Sequence, residues 1–318
     1  MSTLLIALAA ALLTSGSTPA VLGPGTISTI ANEFGGTLTP DGSEIYYSVS
    51  VQHSYMYAIY MSRRGRDGQW TSPILAPFSG HGRDFDPVLS PDGRRLVFIS
   101  DRSARPGDKK LDYDIWWVDR TANGDWSAPR RFGAPINTVA KSADDERGTE
   151  EFASIAADGT LYFAGDRRGG ASGMAIWKAR LVNGRYETPE LLPDIVNSGP
   201  IVGEPVIAPD QSFLLFSGLG LPGGFGNWDI YISRRGPDGT WLKPENLGPN
   251  VNTAQRDYSP RLAPDGHTLV FTSERFFGSA GQRLDWATIK AGLADIQNGQ
   301  GNIYTIDLRS LGLDAFHN

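Results

Sequence analysis

Five times along the chain a short run of alternating apolar and polar residues enters a turn of near-constant composition and resumes beyond it. The copies occupy residues 38–47, 89–98, 155–163, 207–216 and 262–271. A period of two is that of a strand with one face in a core. The turns centre on Asp41, Asp92, Asp158, Asp210 and Asp265, spaced 51, 66, 52 and 55 residues apart. Each is preceded by Pro and followed by Gly, with two exceptions: Ala157 replaces the proline once and Gln211 the glycine once. Proline pre-sets the first central φ of a type I turn, aspartate bonds its own backbone, and glycine supplies a positive φ. The third and fourth turns are therefore expected to be less ideal.

A second hairpin follows each first one. Its leading strand lies at 57–61, 114–118, 175–179, 229–232 or 302–306. Four of the five continue into Asp67-Gly68, Asn123-Gly124, Asn183-Gly184 or Asp238-Gly239, which are strong two-residue hairpin signals. Trp70, Trp126, Tyr186 and Trp241 then open the outer strands, with Pro73, Pro129, Pro189 and Pro244 three residues on. Proline cannot donate to a strand ladder, so it marks an edge. Each unit is thus four antiparallel strands, the form of a propeller blade.

The fold class expected is all-β, a five-bladed β-propeller. After Leu308 only ten residues remain, too few for a last outer strand. Pro19–Pro24 parallels Pro244–Pro249 in composition, so the N-terminal segment is expected to supply that strand and close the ring, removing exposed edges.

The Ser/Ala-Pro-Asp-Gly turns, the following Leu-Val-Phe-like strands, Ser100-Asp101-Arg102 and Asp229-Ile230-Tyr231 resemble the repeats of TolB-like propellers. The five copies cover about residues 21 to 310. The resemblance implies a fold more than a role, because that family includes periplasmic scaffolds, domains attached to peptidases and proteins of unknown role.

Charge and composition narrow the partners. A net charge of −6 disfavours nucleic acid, which is met by a basic face. No basic amphipathic run suggests membrane insertion. Leu4 to Leu13 is an apolar run too short to span a bilayer, followed by small polar residues up to Ala20, and no Lys or Arg precedes it. Residues 1–17 therefore read as a signal peptide and 18–318 as one domain, periplasmic or secreted and monomeric. A helical insertion at about 276–300, with its helix at 284–293, is placed either as a lid on the channel or on the rim.

Connectivity sends the Pro-Asp-Gly and Asp/Asn-Gly turns to one face, where little room for chemistry is expected, and the long loops to the other. Long loops on a rigid scaffold are where binding gathers. Each inner strand begins with acid there, namely Glu33, Asp84 with Asp86, Glu150 with Glu151, Glu204 and Asp257. Bare carboxylates about 7 Å apart would repel by roughly 2 kcal/mol at an effective dielectric of about 20. Either flanking arginines (Arg83, Arg102, Arg147, Arg167, Arg256, Arg275) neutralise them or a cationic ligand does, a divalent cation at the mouth among the options.

Two functional readings follow. In the first the chain is a binding or scaffold module for an envelope protein, peptide or glycan, using Glu33, His81, Arg83, Asp84 and the other arginines. In the second it is a glycoside hydrolase or polysaccharide lyase whose acid and base come from Glu150, Glu151, Asp86, Glu204, Asp257 and His53. No His-Glu-x-x-His, Gly-x-Ser-x-Gly or phosphate loop is present, so the motifs name no metal, cofactor or other reaction.

Overall fold

The computed structural model describes residues 18–51, 56–103, 113–138, 149–165, 173–276, 278 and 285–312. Five four-stranded antiparallel sheets follow one another around a ring. Blade one is Asn32–Leu38, Glu44–Val51, Met56–Arg63 and Ile74–Leu75. Blade two is Asp84–Leu89, Arg95–Ser100, Asp114–Asp119 and Arg130–Arg131. Blade three is Glu150–Ile155, Leu161–Gly165, Ala175–Ala179 and Glu190–Leu191. Blade four is Ile201–Ile207, Phe213–Leu219, Asp229–Arg234 and Glu245–Asn246. Blade five takes Asp257–Leu262, Thr268–Ser273 and Asn302–Asp307 from one end of the chain. Its outer strand is Ala20–Val21, paired antiparallel with Ala20 opposite Thr305 and Val21 opposite Tyr304. The ring closes as the repeat count requires.

The core lies between blades. Second and third strands contribute fully buried aromatics, among them Tyr46, Phe98, Phe163, Phe216, Phe271 and Tyr304. Pairs such as Phe216 with Tyr231, at 5.9 Å between centroids, fill the gaps between neighbouring sheets. The hairpin tips add a latch. Arg120 of blade two stacks 4.1 Å over Trp126 and pairs with Glu44 of blade one, while the Trp126 indole N–H donates to the Tyr46 hydroxyl at 3.0 Å.

Each segment that leaves an outer strand is pinned back to its own blade. Asn137 accepts from the Ile115 N–H at 3.0 Å and donates to the Ile115 carbonyl at 2.9 Å. Asn197 does the same at Ile176, and Asn252 at Ile230. In blade one Ser79 accepts from the Ile59 N–H instead. These side chains take over the backbone pairing that a two-residue outer strand leaves unmade.

The two atypical turns compensate each other. Gln211, at φ 62°, receives a hydrogen bond from Tyr162 and donates to Asp158, tying blades three and four. With no proline at 157, the Ala157 N–H is free to donate to the Pro209 carbonyl at 2.9 Å. In the insertion, α1 (Trp286–Leu293) is capped by Asp285, which accepts from the Thr288 N–H.

Candidate functional site

A bulge interrupts every inner strand at the same place, and its residue has a positive φ: Gly35, Asp86, Phe152, Glu204 and Ser259. Four of the five are not glycine, which costs about 1–3 kcal/mol each and persists only where the surroundings enforce it. At Gly35 a Cβ would sit 2.9 Å from an Asp86 carboxylate oxygen, so a side chain there would have to displace Asp86.

The bulge sorts the predicted acids into two sets. Glu33, Asp84, Glu150 and Asp257 lie two residues before it and turn toward the loop that enters their own strand. Glu33 accepts from the Thr29 N–H and hydroxyl, Glu150 from those of Thr138 and Asp257 from those of Thr253. Asp84 accepts from the Gly80 N–H and pairs with Arg102 at 2.6 Å. Blade four has Val202 at this position. All four acids are buried loop anchors, not a ring of charge facing a ligand.

The second set points inward. The Asp86 carboxylate pairs with Arg261 at 2.6 Å, across the ring from blade two to blade five. Ser259 donates its backbone N–H to Glu204 at 2.7 Å and directs its hydroxyl at both Glu204 and Asp86. Asp86 and Arg261 are 1% and 2% exposed, so this is a buried polar plug in the channel. Glu151 stands beside it, deep in the channel but still partly open to it. Burial foremost, then the charges of Asp86 and Glu204, push its carboxyl up to about 8. Glu204 is raised too, by burial first and then by Asp86, against hydrogen bonds from Ser217 and Ser259. At neutral pH Glu151 is mostly a neutral acid next to a carboxylate. Above the plug, on the loop-rich side, Phe34, Tyr57, Phe85, Tyr113, Phe152 and Tyr258 form an aromatic collar.

The remaining candidates scatter. Arg83 pairs with Asp101 at 2.7 Å and covers Tyr113. Arg256 pairs with Glu274 at 3.5 Å and covers Tyr258. Arg275 lies over Tyr304 and donates to the Asn250 and Val251 carbonyls. His81 is exposed. His53, Arg147 and Arg167 lie outside the described residues. The neutralising arginines thus belong mostly to the acid's own blade. Among the described residues, no three His, Asp or Glu side chains are arranged to hold a metal ion.

Two features escaped the sequence reading. Ser259 and Arg261 complete the plug but sit in an ordinary-looking strand. The Pro-Asp-Gly face, expected to offer little room, opens into a cavity of about 450 Å³ whose floor is Arg261. The loop-rich face carries exposed apolar side chains from three blades, including Ile30, Met56, Phe225 and Trp286, the last 72% exposed. α1 lies there with Gly292 buried, Ile289 half-buried and its other side chains exposed.

No protein-family model matches the sequence, and no curated protein matches it. Solved structures do. An α-L-arabinofuranosidase from Lactobacillus brevis aligns at 14% identity over 88% of this chain and 92% of its own, with a TM-score of 0.52. A GH43 endo-arabinanase from Bacillus licheniformis aligns at 15% identity over 89% and 96%, with a TM-score of 0.51. TolB from Acinetobacter baumannii aligns at 16% identity over 86% of this chain and 54% of its own, with a TM-score of 0.47. At these identities the likeness is one of fold, common to proteins of different activity. Five four-stranded blades, each built on the aspartate-turn hairpin, with the last closed by the N-terminal strand, make this chain a five-bladed β-propeller.

Proposed function

We propose that the chain is an exported binding module that engages an envelope protein, peptide or glycan through its loop-rich face. The observation that carries this reading is that the loops and helix at that end of the ring expose Ile30, Met56, Phe225 and Trp286, while other exposed apolar side chains, such as Ile74, Leu75, Leu181 and Val182, lie on outer strands and hairpin tips. Side chains of this kind on loops held by a rigid scaffold are suited to recognition. The acids of that end are committed to loops or to the plug, which leaves recognition to the loops and to α1. Export rests on the apolar run before residue 17, and mature protein should begin upstream of Ala20, so that the closing strand survives. Immobilised wild-type protein should retain a component of envelope extract that Ile30→Ser/Trp286→Ala protein loses. Folded wild-type protein that retains nothing, or variants that retain the same component, would refute the reading.

One observation favours a second reading, that of a glycan hydrolase or lyase. Glu151 has the raised titration of a general acid and lies near two further carboxylates. Polysaccharides and aryl glycosides can be screened directly. Turnover that survives Glu151→Gln would remove Glu151 from the chemistry.

A further inference from the structure

The cavity on the Pro-Asp-Gly side is separate from everything used above. Its lining includes Arg261 of the plug but neither Glu151, Asp86 nor any residue of the aromatic collar. Its walls are the last turns of the five inner strands, with Leu89, Ile155, Ile207 and Leu262 facing in. Four prolines, Pro40, Pro91, Pro209 and Pro264, line the mouth. Neighbouring turns touch there, since a Cβ on Gly93 would fall 2.5 Å from the Pro40 ring. The result is a rigid apolar funnel, open to solvent along the ring axis.

The rim is acidic. Asp210 and Asp265 line the cavity, and Asp41, Asp92 and Asp158 hold the same place in their own turns. Burial alone would raise Asp41, Asp92 and Asp158, but hydrogen bonds from the turns outweigh it and keep them below the usual carboxylate range. Against five carboxylates the residues that follow the turn glycines set Arg94 and His267, the latter between Asp265 and Asp307. The one guanidinium at the floor, Arg261, is neutralised by Asp86.

We infer that this funnel is a second recognition site, which receives a projecting loop of a partner protein bearing one large apolar side chain flanked by lysine or arginine. An apolar shaft rewards burial of the side chain, at about 25 cal/mol per Å². The rim meets the flanking cations, which adds encounter rate and discrimination. A cavity of about 450 Å³ that opens to solvent has room for one large side chain, and a loop tip brings its own cover. With both faces engaged, the propeller would bridge two partners.

The probe is a dye-labelled, disulfide-closed hairpin peptide with Lys-Trp-Lys at its tip, read by fluorescence anisotropy at about 50 mM salt. Matched hairpins carrying Glu-Trp-Glu and Lys-Ser-Lys should bind at least about tenfold more weakly. Asp41→Asn/Asp92→Asn/Asp210→Asn protein keeps the oxygen that caps each turn, so it should fold normally. It should lose about tenfold in affinity and most of the salt dependence. Trp286→Ala, on the opposite face, should leave binding unchanged, which separates this site from the loop-rich one. The inference falls if Lys-Trp-Lys does not bind folded protein at about 1 mM, if the three hairpins bind alike, or if the asparagine variant matches wild type.

Discussion

Arg261 and Asp86 come from blades two steps apart around the ring and meet at 2.6 Å with almost no exposure. Removing one partner of such a pair strands a buried charge, at a cost of about 3–5 kcal/mol. Arg261→Met should therefore shift the denaturant midpoint far more than Arg261→Met/Asp86→Asn, in which neither charge is left alone. Equal losses would mean that the pair is not the channel's organising contact. Glu151 makes a pH prediction. Its carboxyl titrates near 8 in the folded chain and near its ordinary value when unfolded, so the folded state holds the extra proton in between. Stability on its account is intact below about pH 4 and falls as pH rises toward 8. Glu151→Gln should match wild type in acid and melt higher by roughly 7 °C at pH 8, as thermal scans across pH would record. The acids themselves were legible in the sequence, but their facing was not. A strand alternates strictly, and one bulge residue reverses the side on which everything after it points. Only Gly35-Gly36 advertises that bulge; Asp86, Phe152, Glu204 and Ser259 give no hint of a positive φ.

At the scale of elements, turn chemistry carried most of the reading. Proline, aspartate and glycine impose backbone angles locally, so the hairpins could be placed without any knowledge of packing. The closing strand was legible because a blade lacking an edge and a segment lacking a blade were both visible in the chain. The asparagine anchors were written there too, as Ile136-Asn137-Thr138, Val196-Asn197-Ser198 and Val251-Asn252-Thr253. Their role depends on a strand reached only after folding. Asn252→Ala would leave the Ile230 N–H and carbonyl without these bonds. Each unmade buried bond costs about 1–3 kcal/mol, and amide exchange at Ile230 should rise with the loss of stability. Unchanged exchange there would deny the anchor. A short helix at 284–293 was legible in the insertion, but no pattern says what an exposed apolar side chain such as Trp286 meets.

Over the whole molecule, five short repeats bury interlocking sheets around an axis and leave two ends with different chemistry. One end is loops, exposed apolar side chains and a short helix. The other is a stiff acidic funnel, which the sequence concealed because a cavity is a property of the closed ring and of no single turn. The buried contacts of Asp86, Arg261, Glu204 and Ser259 lie between them. The most direct test of the loop-rich face as the recognition surface uses the absence of cysteine from the chain. Single cysteines at Ala31, at Ala291 in α1, and at Arg66 on an outer hairpin tip would each carry a short photo-cross-linker into envelope extract. The account predicts one common adduct from the Ala31 and Ala291 positions and none of that mass from Arg66. The same adduct from Arg66, or none from either loop-face position with folded protein, would contradict it.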